Sequence, residues 1–214
     1  RQHVLDSFFE FTRALGLEER ELEWDLPIPP VAREFAASSF EADSSVVAIN
    51  PSASKPVRNW SVEKYAALAD YAVEKHEAAV VLTGGPSAAE ARFAEAIEKT
   101  TGSRLLNLVG KTSLKELLAV IDRASVLVAP DTGPAHMGTT VGTPVIGLYA
   151  ASNPLRSGPY LSLDHTVNNY PQALKEARGV EVDDARWGTR VRSAAAMDSI
   201  TIDQVTAKLD AILG

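Results

Sequence analysis

The chain has 214 residues, a net charge of −7, and 45% hydrophobic and 23% charged residues, a globular profile long enough to bury a sizeable core. The acidic balance argues against nucleic-acid binding as the main role while allowing a local basic pocket. No cysteine is present, which excludes thiolate catalysis, disulfides and cysteine-held metals. The four histidines (His3, His76, His136, His165) form no H-x-x-x-H pair that would point to zinc.

Residues 3–15 place Val4, Leu5, Phe8, Phe9, Phe11 and Leu15 at near-helical spacing with Gly16 as a stop, so an apolar helical face there must dock on something. The stretch that follows is acidic and then proline-rich at Pro27, Pro29 and Pro30, which predicts an extended connector over 17–40. From residue 45 short apolar runs recur at 45–50, 78–83, 104–109, 125–130 and 143–149 without strict alternation, the pattern of parallel strands buried on both faces. Segments of helical period lie between them at 61–76, 87–100, 113–122 and 134–141, and a last helix runs from Thr201 through Leu213. Ser87 with Glu90, Ser113 with Glu116 and Thr201 with Gln204 each have capping-box spacing. Five strand–helix alternations predict an α/β fold with a doubly wound parallel sheet, Rossmann-like. No apolar run approaches the roughly 18 residues of a membrane-spanning helix. Arg1 stands in place of an initiating Met, and the expectation is a piece of a longer protein.

In such a sheet ligands bind beyond the carboxyl ends of the strands. Three post-strand loops of unusual composition, 50–60, 83–90 and 130–136, would share that edge. In the third, Gly133 allows close backbone approach. The N–H groups of Thr132, Gly133 and Ala135 at a helix start would cradle an anion, with His136 as a further donor. The bland alternative makes Asp131 or Thr132 an N-cap. In the first loop Lys55 and Arg58 could reach a phosphate, and Ser52 and Ser54 could donate hydroxyl hydrogen bonds. In the second, Gly84 and Gly85 follow the strand directly. Glu90 either accepts from ribose hydroxyls or serves Ser87 as capping partner. G-x-G-x-x-G, G-x-x-x-x-G-K-[ST] and G-x-S-x-G are all absent.

"APDTGPAHMGTTVGTPVIGLY" (129–149), with "NPSASKPVRNWSVEKYAAL" (50–68) and "LTGGPSAAEARFAEAI" (82–97), resembles the signature of glycosyltransferase family 9, which includes the heptosyltransferases of lipopolysaccharide inner-core synthesis. The likeness is sharp over about 45–160. It implies the C-terminal half of a GT-B enzyme, in which two Rossmann-like domains face each other across a cleft. Residues 1–40 would then be the end of a missing N-terminal domain plus the interdomain linker, and 41–214 the nucleotide-sugar-binding domain. The resemblance implies a donor such as ADP-heptose bound by Ser52, Ser54, Lys55, Arg58, Gly84, Glu90, Asp131, Thr132, Gly133 and His136. Asp131 would accept from sugar hydroxyls, Glu90 would hold the ribose, and Arg58 or Lys55 would stabilise the leaving diphosphate. Arg58 stands where the family often has lysine, so its contact geometry departs from the pattern.

The reaction implied is inverting sugar transfer to a lipid-linked lipopolysaccharide core acceptor at the cytoplasmic face of the inner membrane. No metal, cofactor or nucleic acid takes part, and the catalytic base lies in the missing domain. Two alternatives are a non-catalytic nucleotide-sugar-binding domain and another GT-B-like enzyme such as a nucleotide-sugar epimerase.

Overall fold

In the computed structural model, which describes residues 1–193 and 195–214, the strands are β1 (Val46–Ile49), β2 (Ala79–Leu82), β3 (Leu106–Asn107), β4 (Val126–Pro130), β5 (Val145–Tyr149) and β6 (Val167–Asn168). All neighbours pair in parallel, in the order β3-β2-β1-β4-β5-β6. The helices are α1 (Val4–Ala14), α2 (Pro30–Ser38), α3 (Val62–His76), α4 (Ala88–Thr100), α5 (Leu114–Arg123), α6 (Gly133–Val141), α7 (Pro154–Ser157), α8 (Tyr170–Arg178), α9 (Ala195–Asp198) and α10 (Ile202–Leu213).

The strand interiors are apolar throughout because both faces are covered. Val47, Ile49, Val80, Leu82, Val126 and Val128 pack with α3, α4, α8, α9 and α10. Their sequence neighbours Val46, Ala48, Val81, Leu127 and Ala129 pack with α2, α5 and α6. This two-sided burial is what the non-alternating runs encode. The sheet steps outward from β1 to β2 and β3, then returns to place β4 beside β1 and steps the other way. The loops leaving β1 and β4 therefore diverge, opening a crevice at that switch point.

Two regions differ from the sequence expectation. The extended connector holds only for 17–29; residues 30–38 are helical, with Ala32 and Ala36 each 2% exposed against α5. Pro30 occupies the first turn of α2, where a missing N–H costs nothing, so the proline starts a helix here. A sixth strand, β6, also joins the sheet edge, too short for any periodicity to reveal. The expected α1 helix is present, but it buries none of its residues, and Phe8 and Phe11 are 63% and 65% exposed. It is tied down through His3, whose Nδ1 accepts from the Leu5 N–H (3.2 Å) while Nε2 meets the Gly158 carbonyl at 3.1 Å. That pairing assigns the ring proton to Nε2.

Helix α6 approaches the sheet closely over Gly138, where an added Cβ would sit 2.5 Å from Val145 Cγ2. Gly138→Ala is expected to destabilise the chain by about 1–3 kcal/mol in spite of alanine's better helix propensity, read as a lower urea midpoint. Combined with Val145→Ala, which vacates that space, the loss should be smaller than the sum of the single losses. Strict additivity would show that the close approach does not control stability.

Candidate functional site

The loop after β1 is shaped by its own side chains. Asn59 Oδ1 accepts from the Ala53 N–H at 2.7 Å, and Asn50 Nδ2 donates to the Ser52 carbonyl at 3.1 Å. Its far end is pinned by Trp60, which is 1% exposed and donates through Nε1 to the Ile200 carbonyl at 3.0 Å. So held, the loop presents Ser52, Ser54 and Arg58 to a cavity of about 550 Å³ at the switch point, within the range of small-molecule sites. Gly84, Gly85, Pro86 and Glu90 from the loop after β2 form a second wall, and Asp131, Thr132, Gly133, Pro134 and His136 from the loop after β4 form a third.

All three loops singled out in the sequence therefore meet in one cleft. Of the candidate residues, Ser52, Ser54, Arg58, Gly84, Glu90, Asp131, Thr132, Gly133 and His136 line it. Lys55 is exposed and is not among the lining residues. Asn50, Gly85, Pro86, Thr112, Ser113, Leu114, Leu117 and Pro134 line it as well. Sequence reading missed the contribution of Thr112 to Leu117, because Ser113 and Glu116 read there only as a capping box, which they do form. In the sequence only a leucine directly after that cap marks the spot; its exposure is a fact of the structure.

The walls are joined by one ion pair. Arg58 Nη1 donates to the Asp131 carbonyl (2.7 Å) and to Asp131 Oδ2 (3.0 Å), and Nη2 donates to Ser54 Oγ (3.0 Å). The same Asp131 Oδ2 accepts from Ser152 Oγ at 2.9 Å. The two charged side chains are only 14% and 11% exposed. Asp131 is thus engaged from the β1 side and the β5 side together, a role that sequence spacing could not reveal.

Glu90 also departs from expectation. Ser87 Oγ caps α4 by accepting from the Glu90 N–H (3.2 Å), but the glutamate does not return to the Ser87 N–H. Its Oε1 accepts from the Gly85 N–H at 2.9 Å, and Oε2 accepts from Ser87 Oγ at 2.6 Å. A Cβ on residue 85 would lie 2.9 Å from Oε2, so the carboxylate lies over bare glycine backbone. Each carboxylate oxygen retains a lone pair for a further donor.

At the start of α6, Thr132 occupies the N-cap position, yet its side chain caps nothing, and its Oγ1 is buried without a partner. The N–H groups of Thr132, Gly133 and Ala135 meet no side-chain acceptor among the described residues. Arg58 Nε is likewise buried and unpaired, as is the Tyr149 hydroxyl. Burial, followed by the nearby Asp131 charge, pushes the Tyr149 phenol well above its ordinary pKa. Orphaned polar atoms are rare in folded proteins and need a reason; two of them, on Arg58 and Thr132, belong to residues that line a cleft whose helix start points positive, while those of Tyr65 and Thr139 lie on residues that do not line it. His136 stands exposed at the mouth, but the walls around its ring lower its pKa by desolvation, against an opposing pull from Asp131. The imidazole is therefore neutral near pH 7 and donates through a single N–H.

Removing the charge of Asp131 leaves a partly buried guanidinium without its counter-ion. Asp131→Asn is expected to cost about 2–4 kcal/mol of unfolding free energy in urea titrations. Adding Arg58→Met should recover part of that loss, and a loss unaffected by the second change would deny the pair its bridging role.

Comparison with known proteins extends this picture. Residues 1–183 match glycosyltransferase family 9 (heptosyltransferase). The chain is 34% identical over 207 residues to the lipopolysaccharide core heptosyltransferase OpsX of Haemophilus influenzae, covering 97% of this chain and 59% of that protein. It thus spans about three fifths of that relative's length. A glycosyltransferase family 9 structure from Veillonella parvula superimposes with a TM-score of 0.79 at 22% identity, over 99% of this chain and 60% of that one. The ADP-heptose lipopolysaccharide heptosyltransferase II of Escherichia coli superimposes with a TM-score of 0.69 at 22% identity, over 91% and 55%. The Rossmann-like sheet is therefore shared with GT-B heptosyltransferases, and the chain belongs to glycosyltransferase family 9, the heptosyltransferases.

Proposed function

We propose that this chain binds the donor in an inverting glycosyltransferase: it holds a nucleotide-diphosphate sugar, ADP-heptose by analogy with the E. coli enzyme named for it, for transfer to a lipopolysaccharide core acceptor. The observation that carries this reading is the uncapped start of α6 with the orphaned polar atoms of Thr132 and Arg58 beside it. A diphosphate there would receive the free N–H groups of Thr132, Gly133 and Ala135 and a hydroxyl hydrogen bond from Thr132. Arg58, already aimed by Asp131 and Ser54, would place its charge beside the same group. Leu114 and Leu117 offer an apolar shelf for the base, and Glu90 a carboxylate for ribose hydroxyls.

In the transfer step the acceptor oxygen attacks the sugar's anomeric carbon as the bond to the diphosphate oxygen breaks, and negative charge grows on the diphosphate. Fixed N–H dipoles and Arg58 are placed where that charge develops, so they act on the transition state more than on the bound donor. This reading calls for no cofactor or metal beyond the donor. The acceptor's proton needs a base. Both cleft carboxylates are engaged, Glu90 by Gly85 and Ser87 and Asp131 by Arg58 and Ser152. By analogy with the family, the base and the acceptor site are assigned to residues outside these 214, in a longer protein working on a lipid-linked saccharide at the cytoplasmic membrane face.

Calorimetry with ADP, UDP, GDP and an ADP-sugar tests the proposal. An adenine nucleotide should bind, and Arg58→Gln should weaken it about tenfold or more; failure of every nucleotide to bind overturns it. The chain alone should show no sugar transfer, and measurable turnover would overturn the assignment of the base.

A pH profile gives a second test. An ADP-sugar carries a diphosphate diester with no proton to gain near neutrality, so its own charge stays constant. Bound negative charge raises the depressed pKa of His136, so binding takes up a proton. Affinity should increase as pH falls from about 8 to about 6 and level off below the free-state His136 pKa. His136→Gln should flatten the profile, and a slope that survives that change would show that His136 does not face the diphosphate.

A further inference from the structure

Beyond the cleft, a pocket of about 450 Å³ on the β5–β6 side of the sheet is lined by five arginines, Arg156, Arg178, Arg186, Arg190 and Arg192. Arg156 comes from α7; Arg178 ends α8, and the other three belong to the irregular segment that follows it. That segment is built, not loose. Tyr170 Oη donates to the Thr189 carbonyl at 2.8 Å, and the Val191 N–H donates to the Ala151 carbonyl at 2.9 Å. Trp187 Nε1 donates to the Gln2 carbonyl at 3.0 Å, and Val191 is 2% exposed. At Gly188, with φ of +87°, an added Cβ would lie 2.9 Å from Arg156 Nε. The missing side chain at residue 188 therefore leaves the room that the Arg156 guanidinium occupies.

Among the described residues, none of the five arginines forms an ion pair or donates a side-chain hydrogen bond. Of the acids that precede Arg186 in the segment, Glu181 pairs with Lys175 at 2.6 Å and Asp183 with Arg1 at 3.6 Å, while the exposed Asp184 forms no ion pair among the described residues. In a chain with 28 acidic residues against 21 basic ones, five like charges facing one cavity repel one another. Arg178 alone has an ordinary explanation, as a cation in the last turn of a helix. An anion in the pocket would offset the repulsion, and the planar forks suit an oxyanion. A single carboxylate would leave most of the positive charge uncompensated. A phosphomonoester brings close to two negative charges and three acceptor oxygens that several guanidiniums can share.

We propose that Arg156, Arg178, Arg186, Arg190 and Arg192 form a second anion site, separate from the cleft beside Arg58, that takes the phosphate of a phosphomonoester-bearing ligand. It stands independently of the nucleotide reading. The test uses the 214-residue chain with ADP present to fill the cleft. Two probes carry the phosphate. Glycerol 3-phosphate is measured by calorimetry, and vesicles of four parts phosphatidylcholine to one part phosphatidate by co-sedimentation against phosphatidylcholine alone. The paired change Arg186→Gln and Arg190→Gln removes two exposed guanidiniums that hold nothing in the fold, and unchanged circular dichroism confirms this. Binding to either probe that falls about tenfold or more in the paired variant, while Arg58→Gln retains it, supports the site. A response to the soluble probe alone marks a free phosphorylated ligand; a response to the vesicles alone marks a lipid headgroup. No binding to either probe, or binding indifferent to the paired change, overturns it. Should ADP itself fail to bind, the donor proposal fails while these arms still decide the arginine pocket.

Discussion

The site depends on the contact between Arg58 and Asp131. Parallel sheets of this topology open a crevice at the switch point because the loops leaving the two central strands run apart, and diverging loops have no intrinsic reason to keep a fixed distance. Here a guanidinium from one and a carboxylate from the other close at 3.0 Å, and Ser152, from beyond the next strand, joins the same carboxylate oxygen. Three segments that the sheet would otherwise hold only at their strand ends are thereby fixed relative to one another. A mostly buried ion pair rarely adds much net stability compared with an apolar replacement. Its value here is geometric: it determines where the Arg58 fork and the α6 start lie across the cleft.

The treatment of helix starts makes the same point. Helices α3, α4, α5 and α10 open on Ser61, Ser87, Ser113 and Thr201, whose hydroxyls accept from the N–H three residues on. Thr132 stands at the equivalent position of α6 with the same chemistry available, yet it does not cap. Its hydroxyl is buried without a partner, and the helix's first donors are left for something else. A lost cap costs about 1 kcal/mol. The uncapped start borders the cleft, which is where a bound anion would repay it.

What could be read in the sequence follows from which forces act locally. The central strands β1, β2, β4 and β5 were legible because burial on both faces leaves continuous apolar runs. The edge strands β3 and β6 have two residues each; β3 still falls inside the apolar run at 104–109, whereas β6 carries no period to read. Proline spacing misled at 30–38, since a proline that cannot continue a helix is well suited to begin one. In the site, glycines and polar residues directly after apolar runs marked the right three loops. The partners of those residues were not legible: Asp131 lies 73 positions from Arg58, and Glu90 turns to the Gly85 N–H and the Ser87 hydroxyl, not to the Ser87 N–H. The arginine pocket was hidden for the same reason, because Arg156 reaches Arg178–Arg192 only through the packing of α7 against the irregular segment.

The two anion sites then differ in kind. In the cleft, Asp131 partly offsets the charge of Arg58 and aims it, so a diphosphate would meet one oriented fork together with N–H and O–H dipoles at close range, in a concave setting. Such interactions depend on angle and distance and are little screened by salt. In the arginine pocket five cations stand without a carboxylate among them, and attraction there is long-ranged, tolerant of geometry and weakened by ionic strength. The first arrangement suits a group that must be held in one orientation while a bond to it breaks. The second suits capture of a charged group whose exact pose matters less. Finding both on one acidic chain means that net charge says little about anion binding here, because the local balance of each cavity decides it.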